Sequence, residues 1–271
     1  MIVFPNCKIN LGLHILGKRE DGFHNLETVF YPVPFKDALE LIPSTNTNTE
    51  FTGSGLAVDG NETDNLCVKA YHLLKKDFPE IPAVKIHLHK AIPLGAGLGG
   101  GSADAAFMLK LLNEKFKLNL STDQLINYAQ QLGSDCPFYI INKPCFATGR
   151  GEVLEEITVD LSAYKMVLIN PGIHIKTGWA FSNITPALPV KSIKEIIQQP
   201  ISSWKHELKN DFETAVFTAH PAIKEIKEKL YSQGAIYAAM SGSGSTVFGF
   251  FNTTIDTIPF KNKNYFIKII N

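Results

Sequence analysis

The sequence predicts an α+β protein in two parts, and three observations carry that prediction. The first sixty residues read as β-rich runs separated by turn residues. After them, strands and helices follow one another without the regular βαβ rhythm of a doubly wound sheet. Beyond about residue 155 the pattern resets into a second set of strands and helices. The expected division is therefore 1–155 and 156–271.

The opening strands are expected over Ile9 to Gly17, Leu26 to Val33 and Ala38 to Ile42, with Asp21-Gly22 and Pro32 as turn residues between them. The Thr/Asn stretch from Ser44 to Thr49 reads as a hairpin loop. A helix should begin near Asp64 or Asn65, with Asp64 as cap, Leu66, Ala70, Leu73 and Leu74 on one face, and Pro79 as stop. The run AVKIHLHKA alternates Val84, Ile86 and Leu88 with Lys85, His87 and His89, the period of a strand. A glycine run from Gly95 to Gly101 feeds a helix from about Ser102 to Phe116, with Ala106, Leu109, Leu112 and Phe116 at helical spacing. Ser121 with Gln124 three residues on has the form of a capping box, and Gly133 closes that helix. In the second part, Lys165 to Asn170 reads as a strand. Helices are expected around Ser192 to Gln198, Glu207 to Thr218 and Ala222 to Tyr231. Strands Ala235 to Ala239 and Thr246 to Phe251 should flank the turn SGSGS, and Tyr265 to Ile270 should be the last strand.

The 271 residues are 45% hydrophobic, enough for a substantial core, and Lys+Arg balances Asp+Glu at 26 each. A basic excess is absent, which argues against nucleic acid as a partner but leaves room for one basic cleft for a phosphorylated small molecule. The four cysteines, Cys7, Cys67, Cys136 and Cys145, form no CxxC pair and are too sparse for a disulfide scaffold. Neither a signal-peptide pattern nor an apolar run of membrane-spanning length is found, so a cytoplasmic protein without a membrane partner is expected. His87 and His89 share a strand face but lack a third ligand, so no metal site of the protein's own is expected.

The glycine run PLGAGLGGGSADAA holds five glycines in the seven residues Gly95 to Gly101, between a strand and a helix. Glycines let the backbone turn at positive φ and approach a ligand closely. Consecutive N–H groups leading into a helix N-terminus make an anion cradle, and Ser102 adds a hydroxyl for a phosphate or Mg²⁺. Polyphosphate binding is the expectation. Gly95, Gly97 and Gly100 satisfy GxGxxG, but the run lies mid-chain behind an all-β start. No well-placed acidic residue follows about 20 residues later, as a dinucleotide site would need. No Gly-Lys-[Ser/Thr] closes the loop, and no His-Arg-Asp or Asp-Phe-Gly segment follows, which excludes a P-loop and a protein kinase. A glycine-rich turn that merely packs a helix against a sheet is the structural alternative.

The run resembles the second signature of the GHMP small-molecule kinases: Pro, a short spacer, Gly-Leu-Gly, then small residues opening a helix. The triple glycine with Ser102, Asp104, Ala105 and Ala106 is most similar to the branch whose acceptor carries a cytidine diphosphate group. That branch usually has two serines here, and Ala103 departs from it. Further blocks extend the resemblance over nearly the whole chain: KINLGLHILGKREDGFHNLETVF (Lys8 to Phe30), GSDCPF (Gly133 to Phe138), ATGRGE (Ala147 to Glu152), NPG (Asn170 to Gly172) and MSGSGSTVF (Met240 to Phe248).

The resemblance implies a two-lobed GHMP-kinase-like fold, with an N-terminal mixed sheet and helices and a C-terminal ferredoxin-like lobe. It implies ATP as phosphoryl donor, Mg²⁺ bound through ATP, and a small-molecule acceptor carrying a cytidine diphosphate group. Asp135 falls on the general base, although the residues alone read as well as an N-cap ahead of Pro137. Lys8 is its cationic partner. Pro93, Gly95, Ala96, Gly97, Leu98, Gly99, Gly100, Gly101 and Ser102 fall on the phosphate loop, and Asn65 and Lys90 on positions near the adenosine. Phe23 and His24 match an aromatic-His pair for the cytosine, with Phe where Tyr is common, and Phe181 matches the opposite slab. Asn10, Gly242 and Ser243 match substrate-side positions, and Gly244 belongs to the same loop. A monomer or weak homodimer is expected. The same fold acting on homoserine, mevalonate or a sugar, and a nucleotide-binding module without catalysis, are the alternatives; Phe23, His24 and Phe181 count against the first, Lys8 with Asp135 against the second.

Overall fold

Residues 1–46, 48–57, 61–253, 255–257, 260 and 264–270 are described by a computed structural model of the chain. They form two compact units. The first holds residues 1–7, 32–94 and 99–143, and the second holds 8–31, 95–98 and 144–271.

In the first unit, β1 (Ile2–Val3), β4 (Ala38–Pro43), β5 (Glu50–Gly55) and β6 (Val84–Lys90) make one sheet in the order β1-β4-β6-β5. Between β1 and β4 in the chain lie β2 (Asn6–Lys18) and β3 (His24–Lys36), two long strands that each carry residues of both units. The alternation read in AVKIHLHKA is realised, since Val84, Ile86, Leu88 and Lys90 are buried while Lys85 and His89 face water. Strand β4 pairs antiparallel with β6 (Leu39↔Leu88, Leu41↔Ile86) and β5 pairs parallel with it (Phe51↔Ile86). The segment Ser44 to Thr49 is therefore a crossover, not a hairpin loop; of it, Thr47 lies outside the described residues. Four helices complete the unit: α1 (Leu66–Asp77), α2 (Gly100–Phe116), α3 (Thr122–Leu132) and α4 (Cys136–Ile141). Helix α2 packs against the other three and buries Ala105, Ala106, Met108, Leu109, Leu111 and Leu112. The capping box at Ser121 and Gln124 is present, with Gly133 at the other end of α3.

Two local expectations are corrected here. The cap of α1 is Asn65, whose side chain accepts from the Cys67 N–H at 2.9 Å, while Asp64 closes the preceding 3₁₀ turn. Strand β3 runs through Pro32, read as a turn residue, to Lys36; its register with β7 (Cys145–Thr148) ends at Phe30, so that ladder requires no N–H from the proline.

In the second unit, β2, β3, β7 and β8 (Val153–Glu156) form one sheet in that order. The other sheet has the order β12-β9-β11-β10, from β9 (Lys165–Asn170), β10 (Tyr237–Met240), β11 (Val247–Phe251) and β12 (Phe266–Ile270), with all three ladders antiparallel. This is the strand order of a ferredoxin-like lobe. Between β9 and β10 lie α5 (Thr177–Ser182), α6 (Ile193–Ile196), α7 (Ile201–Glu207), α8 (Phe212–Ala219) and α9 (Pro221–Ser232). The core of this unit gathers Leu13, Ile15, Val167, Ile169, Phe212, Ile223, Ile226 and Val247. The helix expected over Glu207 to Thr218 is broken. Residues 208–211 leave the helical path because Leu13 N–H donates to Lys209 O and Asp211 N–H to Leu13 O, both at 2.9 Å, in a parallel bridge to β2. No helix among the described residues is long and apolar enough to cross a membrane.

Candidate active site

The glycine run takes the conformation that its composition demands. Gly95, Gly97 and Gly99 have φ of 60°, 78° and 69°. Helix α2 starts at Gly100, two residues earlier than expected, with Gly99 as its cap. First-turn N–H groups have no intrahelical acceptor, and a glycine cap has no side chain to fill them. Ser102 lies in that first turn, half-buried. Beside it, burial pushes the Cys136 thiol up to about 12 against the hydrogen bond from Ser102. Pro93 is half-buried in the turn that leads into the run.

In the first unit, a cavity of about 640 Å³ is lined by Asn65, Lys90, Gly101 and Asp104 together with residues of β5 and the segment after it. That volume suits a small-molecule ligand. Lys90 has a fully buried side chain and is held by two carboxylates, Asp37 and, at 2.8 Å, Asp104. Burial alone would lower its pKa; the two carboxylates outweigh that and raise it. Burial likewise pushes Asp104 up to about 7, with Lys90 pulling down and Asp37 adding to the rise. The second oxygen of Asp104, Oδ1, is buried and has no hydrogen-bond partner. Asp37 also accepts the N–H groups of Ala91 (2.6 Å) and Ile92 (2.9 Å), which fixes the end of β6 just ahead of Pro93. In the same unit Asp135 occupies the cap position of α4, ahead of Pro137, yet its side chain makes no capping hydrogen bond.

In the second unit, a chain of hydrogen bonds joins Lys8 to the glycine run. Lys8 Nζ donates to Asn10 Oδ1 at 2.5 Å and lies 4.9 Å from the Phe30 ring centroid. Asn10 N–H donates to Ser241 Oγ (3.2 Å), and Ser241 Oγ donates to Gly97 O (2.7 Å). Asn10 Nδ2 also donates to Thr28 Oγ1 at 3.0 Å, which fixes the amide orientation. Lys8 N–H donates to Leu98 O at 3.0 Å. The loop of Gly242, Ser243 and Gly244 is held from outside: Asn210 Nδ2 donates to Met240 O and Gly242 O, both at 2.8 Å. Ser243 Oγ lies 3.2 Å from Thr177 Oγ1.

His24 stacks on Phe181, with centroids 5.0 Å apart and planes 21° from parallel, and Phe181 meets Phe212 edge-on at 4.9 Å. A base between two rings needs about 7 Å, twice the van der Waals contact of carbon atoms, so the His24–Phe181 pair is closed. Burial, with the Lys18 charge adding, lowers the His24 pKa, which keeps the ring neutral and able to both donate and accept at neutral pH. Phe23 is 52% exposed, and the Arg150 guanidinium carbon lies 4.6 Å from its ring centroid.

The structure thus brings Lys8, Asn10, Gly97 and Gly242 together, Asn65 with Lys90 and Gly101, and His24 with Phe181. Sequence reasoning missed Asp37, Thr28, Ser241, Asn210 and Arg150. Ser241 and Arg150 stood inside recognised blocks, whereas Asp37 and Asn210 lay in segments with no pattern to mark them.

A glycine-rich helix start, a buried lysine–amide pair tied to Gly97 and Leu98, and a second glycine loop are the features of a small-molecule kinase. Two family descriptions match: "GHMP kinases N terminal domain" over residues 65–143 and "GHMP kinases C terminal" over 192–266. The chain belongs to the GHMP kinase family, the ATP-dependent small-molecule kinases. A 4-diphosphocytidyl-2-C-methyl-D-erythritol kinase of Bacteroides fragilis is 56% identical over 254 residues, covering 93% of this chain and 92% of the relative. A protein of the same name from Cytophaga hutchinsonii is 52% identical over 265 residues, 97% of each. Among solved structures, a 4-(cytidine 5'-diphospho)-2C-methyl-D-erythritol kinase superposes with a TM-score of 0.77 at 30% identity, covering 92% of this chain and 89% of that one. A homoserine kinase from Cytophaga hutchinsonii superposes with a TM-score of 0.69 at 14% identity over 99% and 92% of the two chains, a likeness of fold alone.

Proposed function

We propose that this enzyme transfers the γ-phosphoryl group of ATP to the 2-hydroxyl of 4-diphosphocytidyl-2-C-methyl-D-erythritol, a step of the non-mevalonate isoprenoid precursor pathway. The observation that carries the chemistry is the hydrogen-bond chain from Lys8 through Asn10 and Ser241 to Gly97. It ties a buried cation to the loop that cradles phosphates. The acceptor comes from the relatives that are 52% and 56% identical over nearly the whole chain.

In this reading the backbone N–H groups of Gly95 to Ser102 hold the triphosphate. Asn65 and Lys90 border the cavity that takes the adenosine. Asp135 accepts the proton of the acceptor hydroxyl as that oxygen attacks, and Lys8 offsets the charge that develops on the transferring group. Asn10 holds Lys8 in place, and Gly242 and Ser243 shape the loop that faces the substrate. Phe23, His24 and Phe181 hold the cytosine. The Ser102 hydroxyl, in the first turn of α2, would be the protein oxygen for an Mg²⁺ bound through ATP, and such an ion would supply neutralisation of the phosphate charge. We take 1–155 and 156–271 as the two domains; each family match falls on its own side of that boundary. We also take the enzyme as cytoplasmic, a monomer or weak homodimer, with its four cysteines buried and in no disulfide.

The test is ADP release with Mg-ATP and a panel of acceptors: the cytidylyl compound, methylerythritol phosphate, homoserine, mevalonate and galactose. Turnover with the cytidylyl compound alone is expected. Turnover with another member would leave the phosphate loop and Asp135 in place and remove the aromatic residues from the acceptor site. ATP binding without any turnover would replace the kinase by a nucleotide-binding module.

A further inference from the structure

The ATGRGE block forms the tip of the β7–β8 hairpin, and the reading above gives its arginine no role. The tip is rigidly built. Gly149 and Gly151 have φ of 70° and 106°, and Gly151 N–H closes the turn onto Thr148 O at 3.0 Å. Gly149 O accepts the N–H of Leu26 at 2.8 Å, which pins the tip to β3 two residues beyond His24. Arg150 N–H donates to Glu152 Oε2 at 2.5 Å. The backbone that carries Arg150 is therefore fixed relative to the strand that carries the Phe23–His24 pair.

Its guanidinium is placed just as definitely. The guanidinium carbon is 4.6 Å from the Phe23 centroid, on one face of the ring; its Nε approaches Glu152 Oε1 only at 3.8 Å, and its charge also acts on the Asp21 carboxylate. The other restraints on Phe23 are on its backbone, whose O accepts the N–H of Arg19 at 2.8 Å. It is half-exposed, and its N–H is held by Asp21 Oδ1 at 3.1 Å. A half-exposed phenyl ring would otherwise sample several rotamers. A planar guanidinium on one face limits that freedom, and cation–π attraction holds it there.

We propose that Arg150 is a positioning residue for the acceptor's base: its guanidinium holds the Phe23 ring by one face and leaves the opposite face for the base. The inference rests on the reading of the acceptor as a cytidine compound. It accounts for the arginine at a tip whose glycines and carboxylate otherwise serve only to make a tight turn. It also distinguishes Arg150 from a phosphate ligand, because a positioning residue acts on the base whether or not a diphosphate is attached.

The experiment compares wild type, R150A, F23A and the double variant by calorimetric binding of two probes, cytidine and cytidine diphosphate. Loss of an exposed cation–π contact corresponds to roughly two- to fivefold. R150A is expected to weaken both probes by that factor, and to raise KM for the cytidylyl acceptor with kcat near wild type. F23A is expected to cost roughly tenfold, and adding R150A to F23A should change nothing further. Weakening of the diphosphate alone would overturn the inference and put the guanidinium on the phosphates. Equal affinities for wild type and R150A, or an undiminished R150A effect in the F23A background, would also overturn it while leaving the cytidylyl acceptor standing. Failure of wild type to bind cytidine or its diphosphate, with ATP binding intact, would sink the acceptor reading and this inference with it. Phe23 is exposed and Arg150 is half-buried in a turn, outside the core, so both variants should fold with an unchanged Tm.

Discussion

At the scale of single residues, Asp135 shows how structure weighs two readings that the sequence left open. An N-cap carboxylate normally sits on extended backbone and accepts an N–H from the first turn. Asp135 has helical φ and ψ of −83° and −15° and makes no such bond, so the capping role loses its support. Asp135→Asn should lower kcat by about 10²- to 10⁴-fold, the usual worth of a general base, with ATP affinity nearly unchanged. Rapid-quench turnover and nucleotide titration measure the two, and full kcat in the variant would refute the assignment. Asp104 was visible only as a letter in the glycine signature. Its environment, burial with a lysine and a second carboxylate beside it, needed coordinates. Its pKa is about 7 in the fold against an ordinary aspartate value of about 3.9, so the folded state binds more protons than the unfolded one between those values. The stability that this group contributes is full below about pH 4 and is lost as pH rises to about 7. Tm measured from pH 4 to 8 should show that decline in wild type, and Asp104→Asn should remove this component.

At the scale of elements, the legible parts were those with a repeating pattern or a cap. Lys165–Asn170, the capping box of α3 and the alternation in β6 all follow from local period. What stayed hidden was made by partners distant in sequence. Residues 208–211 continue a helical pattern but are drawn into a bridge with Leu13, and β5 is too polar to read as a strand until β6 supplies a parallel partner. The glycine run lies between these cases: its composition suggests an anion cradle, while the need for glycine at Gly97 is tertiary. A Cβ on Gly97 would lie 2.0 Å from Ser241 O, on backbone at φ +78°. Gly97→Ala should therefore break the link between the run and the 241–245 loop, with loss of measurable turnover and a lowered Tm. The left-handed backbone alone costs about 1–2 kcal/mol. Gly178→Ala in α5 is the contrasting case. Nothing lies within 4 Å of the added Cβ, and the helix should gain about 0.5–1 kcal/mol, visible as a small rise in Tm. A comparable fall in both variants would mean that the contacts around Gly97 do not set its identity.

At the scale of the whole molecule, the fold class followed from the order of elements, and each compact unit is built from separated stretches of the chain. The two units exchange the chain at residues 7, 31, 94, 98 and 143, and the glycine run itself divides between Leu98 and Gly99. This division makes ligand linkage informative. The proposed adenosine contacts Asn65 and Lys90 belong to the first unit, and Phe23, His24 and Phe181 to the second. Strands β2 and β3 carry residues of both units, so unfolding one removes part of the other's strands, and a single cooperative thermal transition is expected. A ligand at 100 times its Kd stabilises the folded state by about 2.7 kcal/mol, which for a chain of this size moves Tm by roughly 5 °C. Mg-ATP and cytidine diphosphate should each shift that one transition, and together they should shift it further, because their proposed contacts do not overlap. If the scan instead splits in two, Mg-ATP should move the transition of the first unit and cytidine diphosphate that of the second. A shift with Mg-ATP and none with saturating cytidine diphosphate would remove the aromatic residues from the acceptor site, whatever the number of transitions.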